Sequence, residues 1–251
     1  MRKLIYGWQP DLPDFRDFTY KVVAPTVILP PKVDLRPNCP PVCDQGQLGS
    51  CTANAIAGAL EYEQIKKKDV NYFLPSRLFV YYNERLMEGT VSSDSGAMIR
   101  DGIKSVNKQG ACKETTWPYV ISKFKTKPTA KSYTEALKYK SIEYSSLPQD
   151  MTSVKTCLFN GDIFVFGFTV YDSFESDQTA RTGIMTMPTQ LEKVLGGHAV
   201  EGVGYDDTKK WIICKNSWGP LWGDKGYFYM PYDYFFSKLT SDFWVIKNVM
   251  V

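Results

Sequence analysis

The sequence predicts an α+β protein in which a helical region comes first and a region of antiparallel strands follows. In the first half of the chain, apolar residues recur at three- and four-residue steps, the period of a helix that faces a core. After about residue 150, short β-branched and aromatic runs alternate with Gly, Asp and Pro turns, which is typical of strands. Helices followed by strands indicate two lobes, with a cleft between them as the natural place for a site.

The first 32 residues predict an extended arm that lies on the body of the protein. They are rich in Pro and aromatic residues and end at Pro30 and Pro31, which disfavour a helix through this point. Apolar side chains such as Trp8 and Phe18 indicate that the arm packs. The predicted parts are an arm at 1–32 and a body at 33–251, with a helical lobe at about 33–145 and a β lobe at about 146–251.

Four helices are predicted from the apolar periodicity. The first begins at Cys51, directly after Ser50, which is a suitable N-cap residue. Gly110 is a stop signal for the third helix. The other helices cover Ser76–Met87, Ala97–Lys108 and Asp150–Phe159.

Four strands are predicted in the second half of the chain. Asp206 and Asp207 separate two of them and predict a hairpin turn. The strands cover Ile163–Val170, Ala199–Tyr205, Trp211–Lys215 and Gly226–Met230.

Composition excludes several classes of function. The 30 Lys and Arg residues against 27 Asp and Glu leave a net charge of +3, too small to indicate a nucleic-acid partner. The apolar run Ile163–Val170 is too short to span a bilayer, so no membrane partner is expected. Cys39 and Cys43 resemble half of a metal site, but no second pair follows, so neither a metal nor another cofactor is expected. The N-terminus does not have the pattern of a secretory signal, which predicts a location inside the cell, or inside the virion of a viral source.

Cys51 has the surroundings that a nucleophilic cysteine needs. A cysteine attacks as a thiolate, and a helix N-terminus or a neighbouring imidazolium lowers its pKa. Cys51 is expected at a helix N-terminus, and the single histidine of the chain, His198, opens a strand after Gly196 and Gly197. Two glycines allow another chain to approach closely, as a substrate cleft requires. The pair indicates nucleophilic catalysis with His198 as the base.

Two further residues complete an acyl-transfer site. A histidine base needs a third group that holds its ring, and Asn216 follows a strand that pairs beside His198. The side-chain amide of Gln45, six residues before Cys51, is a donor for a developing oxyanion, together with the backbone N–H of Cys51.

These blocks together resemble the papain family of cysteine peptidases. They are QGQLGSC at 45–51, GHAV at 197–200 and NSWG at 216–219, and WPY at 117–119 is similar to a further element of the family. His198 lies 147 residues after Cys51, inside the family's usual spacing of about 130–150, and Asn216 lies slightly beyond it at 165.

The resemblance implies a two-lobe fold, hydrolysis of peptide bonds in polypeptide substrates, and a role for each matching residue. Gln45 is the implied oxyanion donor, Cys51 the nucleophile, His198 the base and Asn216 its orienter. Trp218 shields the His198–Asn216 hydrogen bond. The implied substrate-binding residues, with an apolar preference at the second position before the scissile bond, are Ser95, Gly96, Met98, Phe166, Gly197, Ala199 and Trp218.

The chain departs from the family pattern at two positions beside the nucleophile. Thr52 stands where an aromatic residue usually follows the cysteine, and Leu48 replaces a cysteine that is disulfide-bonded in secreted members. The absence of that cysteine indicates either a reducing compartment or a lineage that dispenses with the disulfide bond. The arm at 1–32 is similar to the short N-terminal extensions of bacterial and viral members, and we expect it to restrict access to the subsites before the scissile bond.

Other interpretations stay open for some residues and for the activity. Cys112, Cys157 and Cys214 fit small buried side chains, and Met98 and Phe166 also fit ordinary core positions. The same Cys-His chemistry serves amide ligation and deamidation, because a fold does not fix the acceptor. A catalytically silent binding protein of the same fold is the alternative outside the enzyme class.

Overall fold

The α+β class is confirmed by the computed structural model of the chain, which describes residues 5–21 and 28–249. The helices in this part are α1 (Cys51–Lys66), α2 (Arg77–Glu88), α3 (Ile99–Gln109), α4 (Ala130–Ala136), α5 (Met151–Phe159), α6 (Asp177–Thr182) and α7 (Tyr232–Phe235). The strands are β1 (Trp8–Gln9), β2 (Lys32–Asp34), β3 (Ala97–Met98), β4 (Ser141–Ser146), β5 (Phe164–Tyr171), β6 (Val194–Asp206), β7 (Trp211–Lys215), β8 (Tyr227–Pro231) and β9 (Thr240–Val249).

Three of the four predicted helix starts are confirmed to within one residue, with one correction to the capping. Ser76 caps α2 by accepting a hydrogen bond from the backbone N–H of Phe79 at 3.1 Å. Ser50 stands at the N-cap of α1, but its side chain makes no capping bond. The hydroxyl instead contacts the phenol of Tyr119 and accepts from Asn54, because the segment before α1 is buried and its polar groups pair inward. The predicted capping role of Ser50 is therefore wrong.

The third helix begins at Ile99, two residues later than predicted. Ala97 and Met98 form the short strand β3 and pair in parallel with Trp8 and Gln9 of the arm. The helix ends at Gly110, as predicted, where a φ of 76° favours glycine. The sequence pattern missed this pairing because it lies between segments about 90 residues apart.

The four predicted strands are confirmed and join one sheet, with β6 longer than predicted and β5 and β8 shifted by one residue. Among the described residues, seven antiparallel strands form it, in the order β4-β9-β5-β6-β7-β8, with β2 paired to β6. The first half of β6 pairs with β5, and its second half pairs with β7 and β2. The turn predicted at Asp206 and Asp207 connects β6 to β7. β6 is therefore the strand around which the sheet is organised.

Two hydrophobic clusters fill the interior. One surrounds α1, α2 and α3 and includes Trp8 of the arm, and the other packs aromatic side chains against the sheet. Helix α1 is buried all round, from Cys51 to Gln64, because it also packs on β6 and β9. This fixes the N-terminus of α1 against the sheet. No helix within 5–21 and 28–249 is long and apolar enough to cross a membrane.

Candidate active site

Cys51 is the first residue of α1 and is completely buried in this structure. Burial raises the pKa of its thiol to about 12, while backbone hydrogen bonds from Ala199, Gly7 and Thr52 lower it. The sulfur therefore lies between the N-terminus of the helix, the strand that carries His198, and the arm. In this arrangement the thiol is protonated, although its position at a helix N-terminus favours the thiolate once water reaches it.

His198 and Asn216 lie on the neighbouring strand β6 and just after β7, and their side chains meet. His198 Nε2 and Asn216 Oδ1 are 2.8 Å apart. The indole of Trp218 stacks on the imidazole, with ring centroids 4.9 Å apart and planes 27° apart. Within the described residues, His198 Nδ1 has no hydrogen-bond partner. The hydrogen bond with Asn216 therefore fixes Nε2 of the ring and leaves Nδ1 available to accept a proton.

Burial also changes the titration of the imidazole. It lowers the pKa of His198 to about 4, and the hydrogen bond with Asn216 opposes that shift. His198, like Cys51, is completely buried. A neutral imidazole and a neutral thiol are the forms expected for a site that water does not enter.

Gln45 lies where its amide connects the catalytic helix to the Asn216 segment. Its Nε2 donates to the carbonyl oxygen of Leu48 at 3.0 Å and to that of Ile5 in the arm at 3.2 Å. Its Oε1 accepts from Ser217 Oγ at 2.6 Å, which fixes the orientation of the amide. The arm thus places a peptide carbonyl on the Gln45 amide.

Ser95, Gly96 and Met98 lie along the side of the cleft where the arm pairs. The backbone N–H of Ala97 donates to the carbonyl of Gly7 at 2.7 Å. The side-chain amide of Gln9 donates to the carbonyl of Ser95 at 2.6 Å. A Cβ at Gly96 would lie 1.9 Å from the Gly7 oxygen, so only glycine permits this approach.

The predicted pocket residues separate into two groups. Gly197 lines the space that holds the Trp8 indole, and Ala199 lies beside Cys51. Phe166 lies instead in the aromatic cluster, stacked on Phe243 with centroids 5.4 Å apart.

The neighbouring Gly167, which the sequence analysis missed, takes the place beside the indole. A Cβ at this position would lie 1.9 Å from Cε2 of Trp8. Alternation along β5 explains the difference, because successive residues of a strand point to opposite faces. The alternation of residues 164–171 could have predicted Gly167 as the pocket residue, if the face of β5 that points to the cleft had been known.

No group of three or more His, Cys, Asp or Glu side chains within 5–21 and 28–249 is arranged to hold a metal ion. The site combines the thiol of Cys51 with the imidazole of His198 and the side-chain amides of Gln45 and Asn216. These groups are sufficient for acyl transfer.

Comparisons with known proteins decide the family. The model of the papain family cysteine protease matches residues 29–248. The chain belongs to this family. An uncharacterised peptidase C1-like protein of Acanthamoeba polyphaga mimivirus is 44% identical, over 97% of this chain and 87% of its own. The match with chymopapain of Carica papaya is 30% identical and covers 85% of this chain, but only 57% of the chymopapain chain.

Solved structures agree with the family assignment. The crystal structure of xylellain, a cysteine protease from Xylella fastidiosa, superposes with a TM-score of 0.92 at 46% identity, covering 99% of this chain and 97% of that one. A procathepsin B of Trypanosoma congolense shares the fold at 18% identity, with a TM-score of 0.80 and 98% and 87% coverage. The predicted family, fold class and cysteine peptidase activity are confirmed, and polypeptides are the substrate class.

Proposed function

We propose that the chain hydrolyses peptide bonds through a thioester on Cys51. The sulfur attacks the scissile carbonyl carbon while His198 takes the thiol proton. The imidazolium then gives this proton to the leaving amine as the C–N bond breaks. Water, activated by His198, attacks the thioester and releases the acid product and the free thiol. Asn216 holds the imidazole in the required tautomer.

Gln45 is the proposed side-chain donor to the oxyanion. Its Nε2 already contacts the carbonyl oxygen of Ile5 at 3.2 Å, so a peptide oxygen fits this position. The backbone N–H of Cys51, at the first turn of α1, is the second donor. Donors fixed before the reaction stabilise the charge that develops on the oxygen without having to reorganise.

The observation that carries the proposal is the 2.8 Å contact between His198 and Asn216 beside the N-terminus of α1. We expect cleavage of a mixed fluorogenic peptide library under reducing conditions by the wild type and loss of cleavage in Cys51→Ala. Release of ammonia from glutamine peptides without chain cleavage would replace the proposal with a deamidase. Binding of peptides without turnover by a folded, arm-released protein would indicate a silent binding protein.

We also propose that the arm blocks its own cleft. The carbonyl oxygen of Ile5 accepts a hydrogen bond from the Gln45 amide. Gly7 lies against Cys51 and Gly49, and Trp8 fills the pocket beside Gly167. Tyr6 packs on the His198 side, so arm residues 5–9 cover both sides of the nucleophile rather than only the subsites before the scissile bond. A substrate reaches Cys51 only after these contacts open.

The arm proposal is tested with point variants of the full chain. Trp8 is 9% exposed, and Trp8→Ala removes a buried aromatic contact of the arm, worth about 3 kcal/mol when a buried Trp is truncated. We therefore expect peptide cleavage and alkylation of Cys51 to rise about 10²-fold. Phe15, fully exposed in the same arm, provides the matched control Phe15→Ala, which should change neither rate. Equal rates for wild type and Trp8→Ala would contradict the proposal.

The pocket that Trp8 occupies indicates the preference at the second position before the scissile bond. Because Gly167 and Gly197 leave room for an indole, we propose a large aromatic side chain there. Gly167→Val narrows the pocket and should shift cleavage towards small aliphatic residues. An unchanged library profile would overturn this assignment. The predictions that no nucleic acid or membrane is a partner stay predictions.

A further inference from the structure

A carboxylate in the cleft, Glu175, has no role in the catalytic steps proposed above. It is the last residue of the short turn at 172–175 that follows β5, and it is exposed. The phenol of Tyr6 donates a hydrogen bond to it. Tyr6 belongs to the arm, so this carboxylate becomes free when the arm leaves.

The position of Glu175 is fixed by its neighbours in sequence. Phe174 is buried between Trp218 and Trp222, with ring centroids 5.3 Å from each. Ser176 caps α6 by accepting from the backbone N–H of Thr179 at 3.2 Å. We call the surface formed by Phe174, Trp218 and Trp222 the aromatic wall. The backbone that carries the Glu175 carboxylate is therefore fixed at the edge of this wall and does not belong to a free loop.

The wall lies on the leaving-group side of the nucleophile. His198 delivers its proton to the leaving amine, so the residue after the scissile bond lies against the imidazole. The Tyr6 ring takes that place, with its centroid 6.1 Å from His198 and 6.2 Å from Trp218. Gly196 makes the space, since a Cβ there would lie 2.7 Å from Cβ of Tyr6.

We infer that Glu175 selects substrates whose first residue after the scissile bond ends in a hydrogen-bond donor: tyrosine, lysine or arginine. The aromatic wall accepts the stem or ring, and the carboxylate accepts the donor at its end. A hydrogen bond to a charged acceptor is strong enough to change kcat/KM about tenfold. The inference rests on the proposed peptidase function and names part of its substrate class.

Peptide pairs test the inference in full-length Trp8→Ala protein, in which the cleft is open. Each pair differs only in the residue after the scissile bond, Tyr against Phe or Lys against Met, and mass spectrometry confirms the cleavage point. We expect kcat/KM to be about tenfold higher for the donor member of each pair. Glu175→Ala should bring both ratios close to one. Glu175→Gln, a neutral acceptor, should keep the Tyr preference and lose the Lys preference.

Asp177→Asn is the matched control, because it removes a neighbouring exposed charge that does not contact Tyr6. It should leave both ratios unchanged. If Glu175→Ala cleaves the Phe peptide but keeps the wild-type ratios, the inference is wrong while the peptidase function stands. If no peptide is cleaved by any variant, the proposed function fails and the inference fails with it.

A second measurement does not depend on turnover. In the full chain without Trp8→Ala, Tyr6→Phe and Glu175→Ala should each raise the alkylation rate of Cys51, and the double variant should be no faster than either one. Such non-additivity is the signature of one shared contact. Additive effects would show that Glu175 does not recognise the phenol and would overturn the inference.

Discussion

The catalytic residues and the arm that covers them are held by different kinds of contact. Cys51 and His198 are positioned by a fully buried helix and by a strand paired on both edges. Within residues 5–21, the arm pairs with the body through the two residues of β1 and an isolated bridge between Thr19 and Ser146, and pairings this short contribute little by themselves. The rings of Trp8 and Tyr20 are buried in the two hydrophobic clusters. Polar side chains complete the attachment, as Trp8 Nε1 donates to Asp242 and Trp244 Nε1 donates to Asp11.

The comparison indicates that the site and its cover respond to different perturbations. The geometry of the site depends on strand register and packing, which no surface charge controls. Docking of the arm also depends on charged side chains: Asp11 and Asp242 are titratable and partly buried, and Asp17 pairs with Arg100 at 2.9 Å. Single substitutions should therefore separate catalysis from access.

The first prediction concerns a substitution that removes catalysis without changing how the arm docks. In the Trp8→Ala background, His198→Gln should lower kcat/KM by about 10³-fold or more, because glutamine keeps much of the volume but cannot exchange protons. Steady-state kinetics on one peptide measure the effect. A melting temperature within a few degrees of the parent shows that folding is intact, and a loss below tenfold would contradict the role of His198 as base.

A second prediction concerns the register of the strands beneath the site. Glu201 and Lys215 face each other across β6 and β7, are both buried, and lie 3.2 Å apart at the closest oxygen. Glu201→Gln keeps an acceptor but removes the negative charge opposite the buried Lys215 ammonium, which should destabilise the protein by about 3–5 kcal/mol. Urea unfolding measures the change. An equally stable variant would show that the pair is not needed to hold this register.

The third prediction concerns the pH dependence of arm docking. Burial, and next the charge of Asp242, raise the pKa of Asp11 to about 7, while Trp244 and Arg100 lower it. The docked arm therefore binds a proton that the free arm releases at a pKa near 4. Docking should strengthen as pH falls from about 7 towards 4, by up to tenfold per unit, and should not change further above 7.

The ratio of Trp8→Ala activity to wild-type activity, measured from pH 4.5 to 8, reports the pH dependence of arm docking. The titration of Cys51 and His198 affects both proteins equally and cancels in this ratio. We expect the ratio to be greatest at the acidic end. Asp11→Asn, which keeps the shape but not the charge, should weaken the pH dependence of the ratio, and the part that remains reports Asp242, whose pKa is also raised by burial. A wild-type ratio that increases with pH would contradict the assignment.

The smallest effect sharpens the role of Gln45. Ser217 Oγ donates to Gln45 Oε1 at 2.6 Å and orients the amide. Ser217→Ala should lower kcat about fivefold, the value of one neutral hydrogen bond, without changing the pH dependence of docking. Gln45→Ala should cost more, and adding Ser217→Ala to it should cost nothing further.

Much of the fold followed from local patterns, and its exceptions have physical reasons. Helices at Cys51 and at Ser76 were predictable because caps and apolar periods are read within a few residues. Ser50 failed as a cap because tertiary burial offered its hydroxyl another partner, Tyr119. Strands β4 and β9 were missed, as half-polar sequences become strands here only by pairing with each other at long range. The boundary between lobes at about 145 stays a prediction.

Local sequence identified the candidate reacting groups: a cysteine at a helix start, one histidine, and an asparagine and a glutamine in recognisable blocks. Such blocks are short, so the reacting groups can be read without knowing the fold. The surroundings of these groups became known from the packing of distant segments. Trp8 and Asp242 meet across 234 residues of sequence, and Gly167 rather than Phe166 lies beside the indole because of the face that β5 presents. Contacts of that kind depend on how distant segments pack, and no local pattern contains them.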